Sequence, residues 1–172
     1  MAFILSGCAS QVPVPISQMP PGNLMLPEVQ ANPEAFIGST VRWGGVITRV
    51  ENQATQTWIE LVSRELNKNG QPRTDGKSDG RFIASFQGFA DPAVYGTGRL
   101  LTVIGTIDTQ TTRTIGEYAY SFPVVNVTSS YLWPVETEPV RYEYPPPWYY
   151  DPWPFYHRPY PYWPYRGPYR HW

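Results

Sequence analysis

The chain has 172 residues and a net charge of −1, with 41% hydrophobic and only 16% charged residues. That length fits one compact domain with extensions, and the lack of a basic surplus disfavours binding through nucleic-acid phosphates. One cysteine excludes an internal disulfide and a multi-cysteine metal site, and the two histidines, His157 and His171, both lie in the last sixteen residues, so the rest lacks the commonest general base and metal ligand.

The chain opens on an apolar run, Phe3-Ile4-Leu5, followed by Ser6-Gly7-Cys8-Ala9. The motif LSGC resembles the lipobox of bacterial lipoproteins, with Leu three residues before the cysteine and small residues between. The resemblance implies that Cys8 becomes the mature N-terminus and carries acyl chains. Residues 1–7 are then the end of a signal peptide, and since none of them is basic, a longer leader is expected. In such lipoproteins an Asp after the cysteine retains the protein at the inner membrane; Ala9 in that place implies sorting to the outer membrane. Two or more acyl chains, at about 0.8 kcal/mol per buried CH₂, make an anchor permanent. No run of 18 apolar residues occurs, so no membrane-spanning helix is expected.

Residues 8–31 read as a lipidated tether, because Pro13, Pro15, Pro20, Pro21 and Pro27 interrupt regular structure. Stretched at about 3.1 Å per residue, such a tether reaches roughly 75 Å. At Asn32-Pro33 a short helix is expected, with Asn32 as N-cap and Gly38 as terminator. Thr40 to Val50 reads as a long strand, and Gly44-Gly45 in its middle marks a bend that lets it serve two edges of a small closed sheet. A second strand runs from about Gln56 to Val62, with Thr57, Ile59 and Leu61 on one face by period two. Residues 64–80 are polar and glycine-rich and read as a solvated hairpin loop; Asp75 to Gly80 lacks the closing acid of a calcium loop. The third strand is Arg81 to Phe86, with Phe82, Ala84 and Phe86 together. Asp91-Pro92 opens a short helix, and Leu100 to Ile107 is the fourth strand. The fifth spans Ile115 to Val127, with a break expected at Pro123. The fold class is therefore mainly β: a five-stranded OB-like barrel with a short helix, flanked by Pro-rich disordered segments.

The segments VRWGGVI at 41–47, GRFIA at 80–84, GFADPAVYGTGRLLTVIG at 88–105 and IGEYAYSFPVV at 115–125 together resemble the Slp family of starvation-induced outer-membrane lipoproteins of Gram-negative bacteria. The resemblance covers most of residues 32–133. It implies outer-membrane anchoring, a periplasmic β-rich domain and a link to starvation or stress, and it implies no catalytic activity and no cofactor. Residues 134–172 depart from it. From Trp133 on, the chain holds eleven of the 20 prolines, nine of the 13 tyrosines and five of the seven tryptophans. Polyproline II or disorder is expected there. Its rings and Arg158, Arg166 and Arg170 suit contact with the envelope surface or with a protein partner.

Arg42 and Trp43 form one candidate surface site, although Trp in the core with Arg outward is the commoner arrangement. Asp91, Arg99 and Glu117 form a second, as a carboxylate–arginine cluster; capping and surface pairing explain them more cheaply. Three classes of function follow. The first is a structural or envelope-interaction lipoprotein whose partner is outer-membrane lipid through the acylated Cys8. The second is a small-ligand or envelope-component binding module of OB type. The third is an enzyme working with carboxylates alone, which is disfavoured because no poised base, nucleophile or paired-acid motif stands out.

Overall fold

The computed structural model describes residues 12–135; Cys8, Ala9 and the proposed tail from 136 on lie outside the described residues. Five strands carry the domain: β1 (Thr40–Asn52), β2 (Gln56–Ser63), β3 (Arg81–Gln87), β4 (Leu100–Ile115) and β5 (Tyr118–Leu132). They close on themselves in the order β1-β2-β3-β5-β4. All neighbours are antiparallel except β3 and β5, which pair in parallel from Ile83 opposite Val124.

Closure depends on β1. Its first half pairs with β4, from Thr40 opposite Thr106 to Val46 opposite Leu100. Its second half pairs with β2, from Gly45 opposite Ser63 onward. The changeover falls on Gly44-Gly45, where the sequence places the bend. A Cβ on Gly45 would collide with the Val62 carbonyl, and one on Gly44 would lie 2.8 Å from both Leu66 and the Thr102 hydroxyl. The neighbouring chains approach so closely here that no side chain fits. One further residue, Thr48, bulges between Ile47 and Arg49.

Period-two alternation fills the barrel. Thr57, Ile59 and Leu61 of β2 point inward, as do Phe82 and Ala84 of β3, with Phe86 packed against them. Leu101, Val103 and Ile107 of β4 meet Val41, Trp43 and Ile47 of β1. Trp43 stands edge-on to Phe82, with centroids 5.3 Å apart.

Several sequence-based expectations are corrected. The segment read as a tether folds, from residue 12 on, into two short helices, α1 (Val14–Ser17) and α2 (Leu26–Ala31). Pro15 and Pro27 sit in their first turns, where a missing N–H costs nothing. Ile16, Leu26 and Val29 are buried, and Leu26 and Val29 belong to the barrel core. Each such side chain contributes about 1.5–3 kcal/mol by leaving water, which outweighs the breaking tendency of the prolines. The helix expected at Asn32 is a 3₁₀ turn, Pro33–Phe36, and Asn32 caps it with its backbone position but makes no side-chain cap bond. The helix expected between the third and fourth strands is a turn in which Val94 and Tyr95 donate to the Asp91 carbonyl.

β4 and β5 run well past the expected limits as one long hairpin, turning at Gly116-Glu117 with Ile115 opposite Tyr118. Pro123 does not break β5: it lies opposite Gln110, one residue before the parallel pairing with β3 begins. The far part of this hairpin lies over the outer face of β2 and β3. Phe122 and Val124 pack there on Ile83, with Trp58, Ile115 and Tyr120 around them. Finally, the 64–80 loop is not wholly solvated. Gly70 and Pro72 are buried, Leu66 bridges to Pro72, and Gly70 lies so close to Ile16 that a Cβ would strike the Ile16 carbonyl.

Candidate functional site

The outer face of β1 is where the N-terminal segment, the 64–80 loop and the barrel meet, and it is where Arg42 points. Arg42 was expected outward on the face opposite Trp43. The face is right, but a cover lies over it, and Arg42 is only 4% exposed. Its Nη1 donates to the Ile16 carbonyl at 2.9 Å, and its backbone N–H donates to Asn23 Oδ1 at 2.7 Å. Its Nε is buried with no hydrogen-bond partner. No carboxylate pairs with it among the described residues, and burial lowers its pKa from the ordinary arginine value. On the other face Trp43 is a core residue whose indole N–H donates to the Leu24 carbonyl at 2.8 Å.

A cavity of about 240 Å³ opens at this rim. Its walls are Arg42, Trp43, Ser63, Arg64 and Leu66 from the barrel side and Met19, Asn23, Met25 and Leu26 from the N-terminal segment, with Glu65 and Asp79 also lining it. Arg64 donates through Nη1 to the Gly76 carbonyl, while its Nε is buried without a partner. Sequence reasoning missed Arg64, Asn23 and the two methionines, because nothing in a polar loop or a proline-punctuated segment signals that both fold over one arginine.

The second expected site does not assemble. Arg99, just before β4, donates through Nη1 to the Val94 carbonyl and through Nη2 to the Trp133 carbonyl, both at 2.9 Å. It clamps the end of the domain to the 91–95 turn rather than meeting an acid. Asp91 is exposed and accepts the Ala93 N–H at 2.8 Å, so it shapes its own turn. Glu117 lies at the hairpin tip, beyond the far end of the 16-residue β4 from Arg99, and no ion pair joins it to Arg99 among the described residues. Trp133, whose indole donates to Thr102 Oγ1 at 2.9 Å, is buried.

Elsewhere the ion pairs are structural. Arg113 donates to Glu51 at 2.8 Å and lies over the Trp58 ring at 4.7 Å. Hydrogen bonding from Arg113 is the main cause holding the Glu51 carboxyl below its ordinary pKa. Arg81 meets Glu60 at 2.7 Å. Among the described residues no cluster of His, Cys, Asp and Glu is arranged to hold a metal, and no helix is long and apolar enough to cross a membrane.

Comparison with known proteins gives a consistent picture. The family model of the outer membrane lipoprotein Slp family matches residues 5–169, and so runs through most of 134–172, the stretch expected to depart from the family. The uncharacterized lipoprotein YeaY of Escherichia coli K12 is 31% identical over 150 residues, which is 87% of this chain and 77% of that protein. The outer membrane protein Slp of the same organism is 29% identical over 140 residues, 77% of this chain and 71% of its own length. A Haemophilus influenzae protein is 35% identical over 107 residues, 62% of this chain and 56% of its own. No solved structure matches the chain.

Proposed function

The chain belongs to the outer membrane lipoprotein Slp family, and from that premise we propose that it is an outer-membrane lipoprotein, anchored by acyl chains on Cys8, with a non-catalytic role in the envelope. The observation that carries this reading is the start of the family match at Leu5, the first residue of the LSGC motif. The match therefore takes in the anchor motif as well as the barrel. Ala9 directs the protein to the outer membrane, the domain faces the periplasm, and the aromatic tail from 134 contacts the envelope surface. Expression under starvation or stress belongs to the same proposal.

The folded N-terminal segment alters how such an anchor works. Ile16 is fixed in the domain, and only eight Cα-to-Cα steps, with seven residues between, separate it from Cys8. At most about 3.6 Å per step, these eight steps allow about 29 Å, far short of the roughly 75 Å of a free tether. The domain is held close to the bilayer, not suspended away from it. Labelling with radioactive palmitate tests the anchor: wild-type protein should carry label and fractionate with the outer membrane, and Cys8→Ser should lose both. Unlabelled wild-type protein would remove the reading.

A second reading rests on the strand order. β1 pairing with both β2 and β4, and β3 lying parallel to β5, support an OB-type barrel. In such a barrel a small-ligand role would sit naturally beside the anchoring one.

A further inference from the structure

We infer that the cavity between residues 18–26 and the rim of β1 binds a single-chain amphiphile with a monoanionic head: a fatty-acid carboxylate or the phosphodiester of a lysophospholipid. The head is specified by Arg42. A guanidinium carries five N–H donors, and an unpaired cation removed from water is costly. Arg42 is 4% exposed, reaches one carbonyl, and leaves its Nε without a partner. Arg64 lines the same cavity with a second buried Nε lacking a partner. Both arginines line one volume and neither has a carboxylate partner among the described residues, which suits an oxyanion, since a guanidinium can bind one with two parallel hydrogen bonds.

The single charge follows from the acids on the wall. Glu65 and Asp79 also line the cavity, both exposed, and neither pairs with Arg42 or Arg64 among the described residues. The cations lie deeper than the acids. An anion reaching Arg42 is attracted, while the two exposed carboxylates repel a dianion about twice as strongly as a monoanion.

The tail is specified by the mouth. Met19 is 66% exposed and Met25 54%, and unbranched, polarizable side chains adapt to a flexible chain. The volume of about 240 Å³ corresponds to about eight waters at roughly 30 Å³ each. That holds a head and its first methylenes, and the rest of the chain leaves past the methionines. With Ile16, whose carbonyl Arg42 holds, at most about 29 Å from an acylated Cys8, the cavity would draw such molecules from the bilayer, but binding itself does not depend on acylation.

Calorimetric titration of the full chain carrying Cys8→Ser, which has no lipid of its own, tests the proposal below micelle-forming concentrations. The probes are decanoate, decanoyl lysophosphatidylglycerol, decanol and decyltrimethylammonium. At least one anion should bind, with decanol and the ammonium about tenfold weaker or more; the tighter anion identifies the source. Arg42→Met should weaken anion binding by about tenfold or more, with the Tm unchanged or raised because a buried cation is gone. Arg64→Gln, at a half-buried loop position, should weaken it as well and carries the test if Arg42→Met does not fold. Decanol binding as tightly as the anions, no binding by either anion, or full affinity in the variants would overturn the proposal.

Discussion

The barrel has two covered outer faces, and an arginine is buried or half-buried at each. On β2 and β3 the cover is the β4–β5 hairpin, a continuous pair of strands whose Phe122 clusters with Ile83 and its ladder partner Val124. The arginine there, Arg113, is fully engaged: two nitrogens on Glu51 and its plane over Trp58. On β1 the cover is made of short pieces, α1, the 18–25 crossing and the 64–72 part of the loop, and it leaves a cavity. The arginine there has one carbonyl and an idle Nε. The strand cover carries Arg113 onto Glu51 and Trp58 of the barrel, so its charge is satisfied inside the fold. A cover assembled from turns leaves gaps, and a buried charge facing a gap marks a place for something from outside.

Removing the β1 cover should have the largest effect. A chain starting at Asn32 loses Ile16, Leu26 and Val29 from their packing, and at about 1.5–3 kcal/mol each it should be destabilised by about 5 kcal/mol or more, seen as loss of a cooperative thermal transition by circular dichroism. A chain from Asn32 with the native Tm would show that the N-terminal segment is a tether after all. Phe122→Ala strips the other cover of its fully buried ring and should cost about 3–5 kcal/mol, measured by denaturant unfolding. A loss under about 1 kcal/mol would mean the hairpin barely packs on β3. The smallest effect belongs to the Arg113–Glu51 pair, which is partly exposed. Because Arg113 depresses the Glu51 pKa in the folded state, the pair stabilises above the ordinary carboxylate pKa and loses this contribution as pH falls through the lowered value. Glu51→Gln should therefore cost under about 1 kcal/mol at neutral pH, and the difference from wild type should shrink below about pH 4. An unchanging difference across that range would separate the pair from the pH dependence.

What the sequence made legible, and what it did not, follows the same division. Strands buried on one face announce themselves: Thr57, Ile59 and Leu61 alternate with polar residues, and Gly44-Gly45 marks the changeover in β1. The hairpin arm was partly hidden because 108–114 is polar and threonine-rich. Such residues pair well in a strand but carry no apolar alternation to reveal it. The N-terminal segment was misread because its prolines were counted as breakers, although Pro15 and Pro27 open helices. A fuller signal was present: Glu28 three residues after Met25, whose N–H it accepts at 2.8 Å, with Leu26 and Val29 spaced for one helical face. Arg42 and Trp43 were legible as candidates from their place in β1. The cavity was not, since its other walls come from segments without periodicity, brought together only by the fold.

The most direct measurement follows the two arginines together. In the full chain carrying Cys8→Ser, the side-chain Nε–H resonances of Arg42 and Arg113 are followed by NMR as decanoate or decanoyl lysophosphatidylglycerol is added. The Arg42 resonance should shift and saturate with the anion that binds, while that of Arg113, already held by Glu51, should stay in place. An Arg42 resonance that does not move with either anion, or one that moves no more than Arg113, would contradict the account.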